Sequence, residues 1–172
     1  MRLGEFDWTD DEEREPHEDF DVKRVMIHEC FDGQNVHFDI ALIELDRAVK
    51  LERHIQTICL PSKHALFERE WAKVSGWGCT KCGTNIKPPK LREVLLKVVP
   101  CRENFIPEAV ICAGQDGRDN CKGDSGGPLS VVKDGRSVLI GVTSEGFCGE
   151  PGEPGLYTSV TFNLEWIRKK LD

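Results

Sequence analysis

The sequence predicts an all-β fold that ends in a helix. Sixteen glycines and nine prolines cut the 172 residues into many short apolar runs, the pattern of short strands joined by tight turns. Residues 129–132 and 138–142 are two such runs set around Asp134-Gly135, a dipeptide that favours the positive backbone angles of a two-residue hairpin. Helical spacing comes at the end, where a segment starting near Phe162 carries Leu164, Ile167 and Leu171 on one face.

The strands follow in order. Residues 22–28 alternate loosely, and 30–36 form a polar loop containing glycine. Phe38-Asp39-Ile40-Ala41-Leu42-Ile43-Glu44-Leu45 places an acid directly before an apolar strand, with Glu44 on the opposite face from Ile43 and Leu45 and so expected to face solvent. Residues 91–99 are a Leu- and Val-rich strand. A content of 39% hydrophobic residues is enough for a sizeable core. The net charge of −7 argues against nucleic acid as a partner, and no apolar run approaches the length that crosses a membrane. Eight cysteines point to an oxidising compartment, yet Met1-Arg2-Leu3-Gly4-Glu5-Phe6-Asp7 has no apolar core of a signal peptide. The two observations agree if the sequence is N-terminally truncated and its parent is secreted.

The chemistry concentrates at Asp119-Asn120-Cys121-Lys122-Gly123-Asp124-Ser125-Gly126-Gly127-Pro128. A serine becomes a useful nucleophile only when a base takes its proton and backbone donors await the oxyanion. Glycines on both sides of Ser125 let the main chain turn so that the N–H groups of Gly123 and Ser125 point at one spot. Gly-Asp-Ser-Gly-Gly-Pro resembles the nucleophile loop of the trypsin/chymotrypsin family of serine endopeptidases. The resemblance runs through nearly the whole chain and implies two antiparallel Greek-key β-barrels. Residues 1–62 are then a truncated first barrel and crossover, and 63–172 the second barrel with its terminal helix.

By that resemblance Ser125 is the nucleophile and Asp39, in Asp-Ile-Ala-Leu, is the triad aspartate. Gly123 and Ser125 form the oxyanion hole, and Asp124 pairs with the amine freed on activation. Asp119 lies six residues before Ser125, where trypsin-like members carry the acid that selects Arg or Lys. Gly146 and Gly155 match pocket-wall positions that leave room for a long side chain, and Ser144 precedes the substrate-pairing segment. One departure is Glu145, which stands where the family has a tryptophan; it replaces an apolar floor with a charge and favours basic residues upstream of the cleaved bond. The family's histidine segment and its activation site have no match here. His17, His28, His37, His54 and His64 are the histidines present, and none sits at the catalytic position. Cleavage of proteins and peptides after Arg or Lys is therefore expected of the parent, and inactivity of this chain alone. The competing reading is a non-catalytic homologue that works by binding.

Residues 5–21 hold ten acids against the single basic Arg14. The run reads either as a solvated, self-repelling loop or as a calcium loop, for which Glu5, Glu15 and Glu18 match the family's carboxylate positions. No cofactor is otherwise required. Among the cysteines, the resemblance pairs Cys101 with Cys112 and Cys121 with Cys148. It makes Cys59, in Ile58-Cys59-Leu60-Pro61, the link to an N-terminal light chain, as in the clip-domain proteases of invertebrates, and an unpaired thiol where that segment is lost. Cys79 and Cys82 form a Cys-x-x-Cys that could be redox-active or half of a zinc site; a local bridge, or pairing with Cys30, is the preferred reading. A further bridge of the family would need cysteines near Ala72 and Val131, and neither is present.

Overall fold

The structure is a computed structural model, and it describes all residues except Asn35, Glu103, Asn104, Pro107, Gln115, Asp116 and Asp172. Its centre is a closed six-stranded antiparallel barrel made of β5 (Trp71–Gly76), β6 (Arg92–Val99), β7 (Val110–Ala113), β8 (Pro128–Lys133), β9 (Arg136–Glu145) and β10 (Gly155–Ser159). Around the barrel the order is β10-β7-β6-β5-β8-β9, so consecutive strands pair except where β8 returns to lie beside β5 and β10 closes onto β7. Period-two alternation explains the interior. Ala72 and Val74 of β5 and Leu96 and Val98 of β6 point inward, while Trp71 and Leu95 are exposed. The core joins these residues to Phe67, Ala113, Leu129, Val131, Ile140 and Tyr157. Ala72 and Val131 thus meet in one apolar cluster at the two positions where a further bridge was missing. Leu96 is fully buried, and Leu96→Ala is expected to lower folding stability by about 3 kcal/mol, read as a shift of the urea midpoint at unchanged slope.

The hairpin forms as the Asp-Gly signature requires. Asp134 and Gly135 have φ of 49° and 73°, and β8 pairs with β9 across them. The terminal helix α1 (Leu164–Leu171) buries Leu164 and Ile167, and Ile167 packs with Ile40 and Val160. Leu171, expected on the same face, is 67% exposed, because it lies on the helix's last turn and reaches past the surface that the others cover.

The N-terminal part departs further from expectation. β1 is only Arg2–Leu3, paired with β2 (Glu18–Asp19), and the left-handed Gly4 (φ 75°) ends it before Glu5. β3 (Val22–Ile27) and β4 (Ala41–Leu45) form a second two-stranded sheet. Here Ile43 is exposed, and Glu44 is the more covered of the two, held by Lys23 and Arg24 at 2.6 and 2.9 Å. Val22, Val25 and Ile27 are exposed as well, so among the described residues nothing covers this face. The sheet is nevertheless joined to the rest. Trp166 Nε1 donates to Glu29 Oε2 at 2.7 Å, Lys170 pairs with the same carboxylate, and Thr158 Oγ1 donates to the carbonyls of Val36 and Asp39.

Two disulfides close, Cys101–Cys112 and Cys121–Cys148. Cys30, Cys59, Cys79 and Cys82 are free. The expected bridge within Cys79-x-x-Cys82, or from that pair to Cys30, does not form. Cys79 is buried behind the Ser125 loop, whereas Cys82 stands at the surface with its Sγ donating to Glu150 Oε1 at 3.9 Å.

Candidate active site

The loop of Ser125 is a pair of turns held from two sides. Asp124 N donates to the Cys121 carbonyl at 3.0 Å and Gly127 N to the Asp124 carbonyl at 2.8 Å, while Gly123 adopts φ of 106°, which a side chain would strain. Gly126 N donates to the Thr143 carbonyl at 2.8 Å and Thr143 N returns a bond to Gly127 at 2.9 Å, so the loop is clamped to β9. Ser125 itself is exposed. The N–H groups of Gly123 and Ser125 donate to no group among the described residues, which leaves both available to an incoming oxygen.

Asp39 reaches the same strand from the other half of the chain. It follows a short 3-10 turn (Val36–Phe38), and Thr158 anchors its carbonyl at 3.0 Å. Its Oδ2 accepts a hydrogen bond of 2.7 Å from Ser144 Oγ. Thr143 and Ser144 are adjacent, so one point of β9 holds the Ser125 loop and Asp39 together. The sequence reading placed Ser144 beside the substrate; the contact with Asp39 was not foreseen, and nothing local to either residue signals it.

Four of the five histidines are engaged elsewhere. His17 Nδ1 lies 3.3 Å from Glu5, and His28 stacks on Phe38 and Trp166. His37 Nε2 accepts from Ile106 N at 3.3 Å, and His54 Nε2 donates to the Pro16 carbonyl at 2.9 Å.

Asp124 is half-buried, its two oxygens accepting from Gly78 N at 2.7 Å and Cys121 N at 2.9 Å. Among the described residues no cationic side chain forms an ion pair with it. A cavity of about 220 Å³ opens beside it, bounded by Gly76, Gly78, Cys79, Arg92 and Asp119 as well.

Asp119 sits at the far end of this region. Its Oδ1 accepts from Asn120 N at 2.7 Å and its Oδ2 from Phe147 N at 2.9 Å. Burial raises its pKa above the ordinary 3.8, opposed by those backbone donors. The raised value means that the folded state binds the proton more tightly than the unfolded chain. Stability from this group is therefore greatest at low pH and is lost as pH climbs through the interval just above 3.8. Asp119→Asn is expected to remove that downward slope, measured as urea midpoints across the same interval.

The space next to Asp119 is filled from within. Asn120, buried, donates from Nδ2 to Tyr157 Oη at 2.8 Å and to Asp119 Oδ1 at 3.2 Å. A methyl group on Gly146 would lie 1.8 Å from Asn120 Oδ1, and one on Gly155 would lie 2.4 Å from its Nδ2. Both glycines leave room, which the Asn120 amide takes at Gly146 and shares with the Asp119 carboxylate, 2.3 Å away, at Gly155. The sequence reading missed Asn120. Its one signal there is a polar side chain directly after a buried acid.

The acidic loop does not gather its carboxylates. Glu5 pairs with Arg2 and His17, Glu15 lies 3.5 Å from His54, and Glu18 pairs with Arg47 at 3.1 Å. Glu5, Glu15 and Glu18 therefore face different partners, and among the described residues no three His, Cys, Asp or Glu side chains are grouped to hold a metal ion.

Comparison with known proteins bears on the whole arrangement. The trypsin family profile matches residues 1–167. The chain is 38% identical to serine protease filzig of Drosophila melanogaster over 181 residues, covering 96% of this chain but 11% of filzig. It is 35% identical over 193 residues to CLIP domain-containing serine protease B4 of Anopheles gambiae, covering 99% of this chain and 54% of that protein. Among solved structures, mouse neuropsin, a serine protease expressed in the limbic system of the brain, superposes with a TM-score of 0.84 at 31% identity, over 99% of this chain and 78% of neuropsin. With the profile spanning the chain and the closed barrel carrying the Ser125 loop, this protein belongs to the trypsin family of serine endopeptidases.

Proposed function

We propose that the protein is a trypsin-like endopeptidase, cleaving after Arg or Lys, with Ser125 as nucleophile and Asp39 as the acid that orients a histidine base. The observation that carries the reading is the junction at β9, where Thr143 holds the Ser125 loop and Ser144 holds Asp39. A histidine between Ser125 and Asp39 would take the hydroxyl proton and return it to the leaving amine, while Asp39 keeps its imidazole oriented. The N–H groups of Gly123 and Ser125 would receive the oxyanion. No cofactor enters these steps.

Asp124 is assigned to the ion pair with a freed N-terminal amine, and the cavity of about 220 Å³ beside it has the space for that chain end. Asp119 is assigned to the primary pocket, where a carboxylate left unpaired by a neutral side chain selects for a cation. Glu145, exposed at the end of β9, favours further basic residues upstream. Cys59, a free and partly covered thiol, is the assigned attachment point for a light chain. Two disulfides and the family support a site of action outside the cell, and among the described residues no helix is long and apolar enough to cross a membrane.

The test is to produce the chain with its encoded upstream segment, activate it, and compare Arg-, Lys- and Phe-amide substrates. Turnover of the first two, with the preference lost in Asp119→Ser, supports the proposal; cleavage favouring Phe overturns the specificity. The second reading, a homologue that acts by binding, draws on Asn120, whose amide packs against Gly146 and Gly155 beside Asp119. It prevails if the activated, extended protein binds peptides and turns over none.

A further inference from the structure

Three cysteines line one cavity beside the Ser125 loop. Cys79, Cys121 and Cys148 all line the cavity next to Asp124, Cys79 as a buried free thiol and the other two as a disulfide. The main chain holds Cys79 against that bridge: its N–H donates to the carbonyl of Lys122, the residue after Cys121, at 3.0 Å. Cys82 lies at the other end, its Sγ donating to Glu150, two residues beyond Cys148. A buried free thiol thus shares a cavity with a disulfide, and a second, exposed thiol contacts the segment that follows Cys148.

We propose that Cys79 is the nucleophile of an intramolecular thiol–disulfide exchange with Cys121–Cys148. The Cys79 thiol gives its proton to solvent, and the thiolate attacks Cys121 Sγ. The Cys79–Cys121 bond forms as Cys121–Cys148 breaks, and Cys148 leaves as a thiolate that takes up a proton. One disulfide and one thiol are present before and after, so no outside oxidant is needed. Cys82 can then attack Cys79 Sγ, closing Cys79–Cys82 and leaving Cys121 and Cys148 as thiols. The exchange acts on the site because Cys121 N is one of the two donors to Asp124, and because Cys121–Cys148 ties the nucleophile loop to the segment that bears Gly146. Cys148 also sits at φ of 55°, in the left-handed region. The proposal stands independently of whether the chain cleaves peptides.

The 172-residue chain, purified without added thiol, is held at about pH 8.5, where cysteine is substantially thiolate. Samples are quenched with N-ethylmaleimide in acidic urea, then brought to about pH 7 in the same mixture so that the buried Cys79 is also labelled, and digested without reduction, and the linked peptides are identified by mass. Growth of a Cys79–Cys121 peptide is expected, with maleimide passing from Cys79 to Cys148 at a rate unchanged by roughly tenfold dilution. Cys82→Ser is expected to accumulate the Cys79–Cys121 bridge, and Cys79→Ser to keep Cys121–Cys148 throughout. Should Cys79→Ser not fold, the wild-type and Cys82→Ser time courses decide alone. Persistence of Cys121–Cys148 with maleimide remaining on Cys79 overturns the proposal, as does a rate proportional to concentration. New bridges to Cys30 or Cys59 forming as fast as those to Cys79 overturn it too.

Discussion

In the extended and activated protein, Ser125→Ala is expected to lower turnover of an Arg-amide substrate by about 10⁶, with little change in KM. The loss is that large because nucleophile, base and orienting acid act as a unit, so removing one forfeits nearly all that the set supplies. Ser125 is exposed and the clamp to Thr143 is made by backbone atoms of Gly126 and Gly127, so the substitution leaves the loop's geometry intact. Urea unfolding of the variant should match the parent to within about 0.5 kcal/mol, as for other surface changes. A fall in turnover of less than about a hundredfold would mean that Ser125 is not the nucleophile; Asp39 and the oxyanion donors alone could not then be credited with the reaction.

Asp124→Ala is expected to cost about 3–5 kcal/mol of folding stability in the chain as it stands. Two backbone donors, Gly78 N and Cys121 N, would lose their acceptor in a partly closed space. Hydrogen bonds to a charged group contribute about 1.5–3 kcal/mol each, and the bared N–H groups carry their own desolvation cost. Asp124→Asn keeps one acceptor and should retain about half of that stability. Gly76 and Gly78 sharpen the expectation, since a methyl on either would come within 2.1 or 2.3 Å of the Asp124 carboxylate. The strand end is thus shaped around this acid. Urea midpoints of the two variants, measured at one pH, separate the lost acceptor from the lost charge.

Local chemistry made much of this legible beforehand. Gly123 at φ of 106° and the Asp134-Gly135 turn are written in residues that admit few other conformations. The alternation in β5 and β6 likewise follows from a side-chain period that the backbone imposes. The barrel could be named from such signals together with the family motif. Where the reading failed, the missing information was not local. Leu171 has helical spacing but lies beyond the surface that Leu164 and Ile167 cover. Ile43 obeys the strand period, yet among the described residues its face has no covering layer. Cys79 and Cys82 have a spacing that often bridges, but one side chain turns inward and the other outward.

By itself, then, the sequence determined the family, the all-β barrel, the turn that carries Ser125 and the acid at position 119, because each rests on a contiguous motif or a repeating period. Only the tertiary structure decided that Ser144 grips Asp39 from across the domain, that Asn120 packs beside Asp119 against Gly146 and Gly155, and that the free Cys79 shares a cavity with the Cys121–Cys148 bridge. The reason is physical. Such contacts join residues far apart in the chain, and their geometry is set by how the barrel and the N-terminal sheets pack, which no local propensity encodes.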